Sequence, residues 1–262
     1  MDERDECGPV FGPMDWIEYV CKSKNLDPSS LDVGEVLIVT SINRIWGHLV
    51  EKLGLRCNNR WLYECNSRWG LHNGFVSGKK ISLMYIGVGP GEAGVVEEVL
   101  ALGKTRHILY IGYCGGVGSN VDIGDFIIVT GGVCEDGLSQ HYIPHGIGLD
   151  VDKTHVDILS RTLEDMGLRY HRGRIWSLPA PFREHRWKLR EYHEKWSVLG
   201  VEMEVCSLLA VAKYYSIGFS SIQLVSDTVY PEHRIGFYEK RLEENISQLY
   251  LIVEKTVGSL TF

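Results

Sequence analysis

Apolar residues recur along this chain in two rhythms. Short, nearly unbroken runs stand at VLIVT (36–40), ISLMYIGVG (81–89), HILYIG (107–112), DFIIVT (125–130), RIWS (174–177) and SIQLVSD (221–227). Their length and their β-branched content predict strands. Between them, 91–103, 152–167, 201–214 and 239–257 carry apolar residues at three and four spacing with charges opposite, which predicts covering helices. Alternation of the two patterns predicts α/β architecture. No linker, repeat or low-complexity tract divides the chain, so we expect one domain over 35–262 behind an N-terminal extension, 1–34. That extension is expected to be mobile apart from a helix at MDWIEYV (14–20).

Composition narrows the class. With 44% hydrophobic and 23% charged residues, the 262-residue chain can bury a sizeable core, which excludes a disordered chain. No apolar run approaches a membrane span, and the acidic start MDERDE lacks the plan of a secretory signal, so a cytoplasmic protein is expected. The net charge of −7, without a basic block, argues against nucleic acid or an anionic membrane as partner and favours a small molecule. Seven scattered cysteines without a C-x-x-C pair predict reduced thiols, neither a disulfide framework nor a zinc site. His141, His145 and His155 lack metal-ligand spacing, and His141 is read as structural or interfacial.

Glycines gather where strands end, at Gly87, Gly89, Gly91 and Gly94 and again at Gly112, Gly115 and Gly116, the place where open α/β sheets bind ligands. In the first cluster Glu92 stands where a dinucleotide fingerprint needs its third glycine, which favours a backbone cradle for a small polar ligand over a nicotinamide cofactor. Glu202 and Glu204 open the predicted helix at 201–214; two residues apart, they cannot share a face and so have different jobs. Acids favouring the helix dipole are the plain reading. Ser226-Asp227, at the carboxyl end of an apolar strand, is well placed for a ligand, although Asp also ends strands as turn chemistry.

Taken in order, GVGPGEAGVVEEVLALG, YIGYCGGVGSNVDIGDFIIVTGGVCEDGLSQHY, WSLPAPFRE, LGVEMEV and LVSD resemble the nucleoside phosphorylase-I superfamily, in particular its uridine phosphorylase-like branch. The resemblance implies a mixed central β-sheet flanked by helices, a homo-oligomer between dimer and hexamer, and cleavage of a nucleoside N-glycosidic bond, usually by phosphate. Neither metal nor organic cofactor is implied. By the same resemblance Asp227 is the acid toward the departing base with Ser226 beside it, Glu204 grips the ribose 2′- and 3′-hydroxyls, and Met203 walls the sugar. Phe182 would stack on the base, or else be plain core, and Cys114 and Gly115 would line the base pocket. Such residue types suit the chemistry: the breaking bond leaves positive charge on the sugar and negative charge on the base. An ordinary Asp is ionised at neutral pH, so donation to the base requires surroundings that hold a proton there.

The anion site departs from the family pattern. Where relatives carry an arginine and a small hydroxyl before C-G-G, this chain has Tyr110 and Tyr113, and the earlier phosphate loop reads Thr40-Ser41-Ile42-Asn43-Arg44. Arg44 carries over, and Arg68 stands near the position from which relatives lend an arginine to a neighbouring subunit. A phenol cannot replace a guanidinium's charged, two-pronged grip on phosphate. Three readings follow: phosphorolysis at a rebuilt site using Arg44, Arg68, Tyr110 and Tyr113, which we take first; a nucleosidase using water; and a nucleoside-binding protein, against which retention of Glu204 and Asp227 weighs. No histidine precedes His48 to read the ribose 5′ position. Arg234, Lys240 and Arg241 compete for the role of a cation supporting Asp227. The base, purine or uridine, stays open.

Overall fold

A computed structural model describes residues 9–144 and 146–262; the acidic start, Cys7 and His145 lie outside the described residues. Each expected strand is present: β1 (Val36–Thr40), β4 (Lys79–Tyr85), β5 (His107–Val117), β6 (Phe126–Cys134), β8 (Tyr170–Ser177) and β10 (Gly218–Tyr230). So are the covering helices α3 (Glu92–Leu100), α4 (Lys153–Asp165), α6 (Val205–Tyr214) and α7 (Lys240–Ser259). Further elements are α1 (Pro13–Ser23), α2 (Asn43–Lys52), α5 (Arg186–Trp196), β2 (Arg56–Cys57), β3 (Leu71–Val76), β7 (Gly148–Asp150), β9 (Val198–Glu202) and β11 (Arg234–Ile235).

The sheet is mixed. Strand β1 lies parallel between β4 and β5, whereas β5 pairs antiparallel with β9 and parallel with β10. Strand β10 also pairs with β6, β6 with β8 and β8 with β9, so these five strands close a ring. Helix α6 packs against that ring, with every residue from Val205 to Ala212 buried.

Three expectations are corrected. Gly112, Gly115 and Gly116 are not a loop after a strand: β5 continues through them to Val117. Close approach is the reason, since a Cβ on Gly115 would lie 2.9 Å from Val229 Cγ1 on β10 and 3.3 Å from Val201 Cγ1 on β9. From α1 onward the N-terminal segment is docked, not mobile. Helix α1 forms at the expected place, but Ile17 and Cys21 are fully buried in the main core together with Leu31 and Val33, because its apolar stripe has a surface to cover. Finally, Cys57 and Cys65, expected to be reduced, form a disulfide with Cα atoms 5.5 Å apart. The bend from β2 brings the two together, which a spacing of eight residues does not announce. Cys21, Cys114, Cys134 and Cys206 are free.

Candidate active site

The ring of strands brings the two proposed acids to neighbouring positions. Asp227 on β10 is paired with Gly115 on β5, and Gly115 is paired on its other side with Val201 on β9. Three residues past Val201 the chain reaches Glu204. The β10–β5 register slips between Val225 and Asp227, a bulge that re-aims side chains at this point of the strand. Ser226 is buried there and its hydroxyl donates to Asp227 Oδ1 at 2.8 Å, while Asp227 Oδ2 lies 3.5 Å from where a Cβ of Gly115 would stand. Asp227, Ser226, Cys114 and Gly115 therefore form one wall. Burial, followed by the charges of Asp227 and Glu202, pushes the Cys114 thiol well up, so it lines this wall as a neutral group.

Glu202 and Glu204 do have different jobs, but neither lies within helix α6. Glu202 ends β9 and Glu204 is the residue that caps α6. Glu202 Oε2 accepts the backbone N–H groups of Glu204 and Val205 at 2.6 and 2.8 Å, and its Oε1 accepts the Ser177 hydroxyl at 2.5 Å. It thus holds the helix start in place. Burial, reinforced by the charge of Glu204, pushes the Glu202 carboxyl up to about 8. Glu204 Oε1 accepts the Gly89 N–H at 2.5 Å and Oε2 accepts the Tyr110 hydroxyl at 2.9 Å. Gly89 has φ +104°, a conformation that glycine adopts readily. Burial also raises the Glu204 carboxyl, against the pull of those two donors. A carboxylate offers about four acceptor positions, so two remain for sugar hydroxyls. Met203 sits half-buried in the turn beside it.

The anion-site candidates are each tied to partners of their own. Tyr110 is fully buried: its oxygen bridges Glu204 and Ser41, 3.1 Å from the Ser41 Oγ, and a Cβ on Gly112 would come within 2.8 Å of it. Burial, then the charges of Glu204 and Glu202, holds its phenol neutral. Arg44, on the first turn of α2, is exposed and ion-paired to Glu243 of α7, near Tyr113, whose ring meets Phe237 edge-on at 6.2 Å. Arg68 is mostly exposed. One of its guanidinium nitrogens and Glu92 Oε1 lie 3.3 and 2.4 Å from the place of a Cβ on Gly87, in the loop that also presents Gly89.

Phe182 is 90% exposed on a short turn, Pro181–Arg183, so it is not core. His141 is exposed on another short turn, Ser139–His141. None of the three candidate supporting cations is ion-paired to Asp227: Arg234 pairs with Asp122 and Glu239, Arg241 with Asp125 and Asp122, and Lys240 with Glu244. Glu184, which the sequence reading passed over, lies within electrostatic reach of Asp227. Burial, then the charge of Asp227, pushes its carboxyl up to about 7. Its only signal was its place beside Phe182 in P-F-R-E. Among the described residues no group of three or more His, Cys, Asp or Glu is arranged to hold a metal ion, and no helix is long and apolar enough to cross a membrane.

A closed ring of mixed strands, with the buried Glu204 carboxylate held by backbone and phenol donors and Asp227 two strands away, defines a mixed α/β protein with an acid-lined candidate site at the ends of its strands. Residues 48–258 match the Phosphorylase superfamily, and the chain belongs to that family of nucleoside phosphorylases and nucleosidases. It is 27% identical over 167 residues to a guanosine phosphorylase of Halorubrum lacusprofundi, covering 63% of this chain and 68% of that protein. It is 24% identical over 160 residues to a DeoD-type purine nucleoside phosphorylase of Buchnera aphidicola, covering 60% and 67%. Its fold superposes on the 5′-methylthioadenosine/S-adenosyl homocysteine nucleosidase of Campylobacter jejuni with a TM-score of 0.73 at 15% identity, over 87% of this chain and all (100%) of that one. Uridine phosphorylase from Vibrio fischeri superposes with a TM-score of 0.73 at 20% identity, over 87% and 93%. The mixed α/β fold expected from the resemblance is thereby shown.

Proposed function

We propose that this protein cleaves the N-glycosidic bond of a nucleoside and that water accepts the ribosyl group. The observation that carries this reading is the buried Tyr110 hydroxyl on Glu204 Oε2. A neutral phenol occupies the position where relatives carry an arginine, and Arg44 is already matched by Glu243. Phosphate, largely a dianion at neutral pH, would there meet carboxylates and a phenol, which cannot supply a guanidinium's charge. Water needs no such charge.

In this reading Glu204 accepts the sugar hydroxyls and its negative charge favours the cationic sugar that develops as the bond breaks. Asp227, with Ser226 and the proton that Glu184 holds near neutral pH, provides for the negative charge on the departing base. Cys114 and Gly115 leave room for the base, and Met203 walls the sugar. The C1′–N bond breaks, the water oxygen joins C1′, and one water proton is passed on as the base nitrogen gains one. The steps so written use neither metal nor organic cofactor. A homo-oligomer between dimer and hexamer goes with this reading, and sedimentation checks it.

Phosphorolysis is the second reading. The Arg44 charge near Tyr113 favours it, as does the guanidinium of Arg68 beside the Gly87–Gly89 loop. A panel of purine and pyrimidine nucleosides incubated with and without phosphate separates the two. Free ribose, formed at the same rate in both, supports hydrolysis; ribose 1-phosphate, formed only with phosphate, overturns it in favour of phosphorolysis. Tight nucleoside binding without base release overturns both and leaves a binding protein.

A further inference from the structure

Apart from Glu204 and Asp227, α1 and the stretch 63–69 that spans the end of the disulfide loop line an open cleft against α3, about 390 Å³ in volume and within the range of small-molecule pockets. Trp16, Tyr63 and Trp69, with the exposed Phe11 at the edge, supply its aromatic lining and Glu98 its charge. The polar atoms of the rings are already committed: Trp16 Nε1 donates to Tyr63 Oη at 3.2 Å, Tyr63 Oη donates to Glu98 Oε1 at 2.8 Å, and Trp69 Nε1 donates to Glu92 Oε2 at 2.7 Å. Tyr63 and Trp69 meet edge-to-face, with ring centroids 5.3 Å apart. What these rings offer a ligand is therefore π surface.

Glu98 is 7% exposed, and its Oε2 has no hydrogen-bond partner. A buried carboxylate oxygen without a donor is costly, so a charge-compensating group is wanted nearby. Burial pushes this carboxyl up to about 7, so it is above that pH that a cation, and not a proton, must balance it. Glu97 also lines the cavity, with its Oε2 taken by the Tyr142 hydroxyl, and no Lys, Arg or His is among the lining residues. An anion is therefore disfavoured. A neutral apolar molecule would cover the rings but leave the Glu98 charge unmatched. An ammonium whose hydrogens are replaced by methyl groups needs no acceptor, is attracted by the aromatic faces and compensates the carboxylate.

We propose that the box of Trp16, Tyr63 and Trp69, closed by Glu98, is a binding site for a small alkylated ammonium. Choline is the probe and 3,3-dimethylbutan-1-ol, its uncharged isostere, is the control, titrated into the full chain without nucleoside by calorimetry and followed by saturation transfer to the methyl protons. The unmodified protein is expected to bind choline at least about tenfold more tightly than the isostere. Glu98→Gln is expected to lose about tenfold in choline affinity with its circular dichroism unchanged, and Trp16→Leu to lose binding of both probes. Equal affinity for the two probes, absence of choline binding, or a folded Glu98→Gln variant with unaltered affinity would each overturn the proposal. Sedimentation with and without choline adds one further arm. If choline separates subunits, the box is a contact between copies and not a ligand site.

Discussion

Tyr110 and Glu204, ninety-four positions apart in sequence, are joined by a buried 2.9 Å hydrogen bond in which the phenol donates to Oε2. Tyr110→Phe removes that donor and leaves a carboxylate oxygen short of a partner in a buried place. A hydrogen bond to a charged group is worth about 2 kcal/mol, so a comparable loss of stability is expected in urea unfolding. We expect kcat/KM for a cleaved nucleoside to fall about 10–100-fold. If Tyr110 only fills space, neither quantity moves.

Glu204→Gln keeps the size of the clamp but replaces an acceptor-only group by one with a donor face. Nucleoside affinity and turnover are expected to fall together, by about 10-fold or more. A rate within error of the unmodified protein would reduce Glu204 to a structural tie between Gly89 and Tyr110.

At the base end, Asp227→Asn is expected to lower turnover by about 10²–10⁴ with a small change in binding, the range for a lost acid-base group. Glu184 gives a separate signature. Its carboxyl, pushed up to about 7, loses its proton as pH rises through that value. The rate should therefore decline above about pH 7; Glu184→Gln should lack this limb, while Asp227→Asn, which removes a charge that helps raise Glu184, should move the limb to lower pH. An unchanged pH profile in Glu184→Gln removes Glu184 from the reaction.

Glu202 links stability to pH. Burial pushes its carboxyl up to about 8 in the fold from 4.5 ordinarily, so between those values the folded state holds a proton that the unfolded chain has released. Its contribution is fully present below the unfolded value and is lost as pH rises through about 8. Glu202→Gln should flatten this fall in urea unfolding series recorded from pH 5 to 8.5. Parallel curves for the two proteins would refute the assignment.

Reduction of the Cys57–Cys65 disulfide should lower stability by about 2–3 kcal/mol, the loop-closure estimate for so short a span. Protection from hydrogen exchange should fall over 57–69, the stretch that carries Trp61, Arg68 and Trp69, and the Cys57→Ser/Cys65→Ser pair should reproduce both effects. Equal stability of the oxidised and reduced protein would count against the bond.

Apolar runs such as VLIVT and DFIIVT specified strands by themselves, because an unbroken apolar segment of that length is satisfied by burial on both faces. The helical stripe of 152–167 was equally local. By contrast, β9 was hidden. VLGVE runs straight into helix α6, and its pairing depends on Gly115, Gly116 and the strand β8 for acceptors and donors. The roles of Glu202 and Glu204 changed for that reason: from the end of β9 Glu202 holds the start of α6, and Glu204, at the turn, reaches Gly89 and Tyr110.

The chain alone determined its α/β class, its covering helices and the residue types of the candidate site, since periodicity and side-chain chemistry are local properties. Tertiary structure decided that Arg44 meets Glu243, that Tyr110 reaches Glu204, that Glu184 lies within electrostatic reach of Asp227 and that α1 is anchored in the core. Each of these depends on which distant segments the closed ring of strands brings within a few ångströms of one another. Charge, burial and hydrogen bonding act over that distance and not along the sequence.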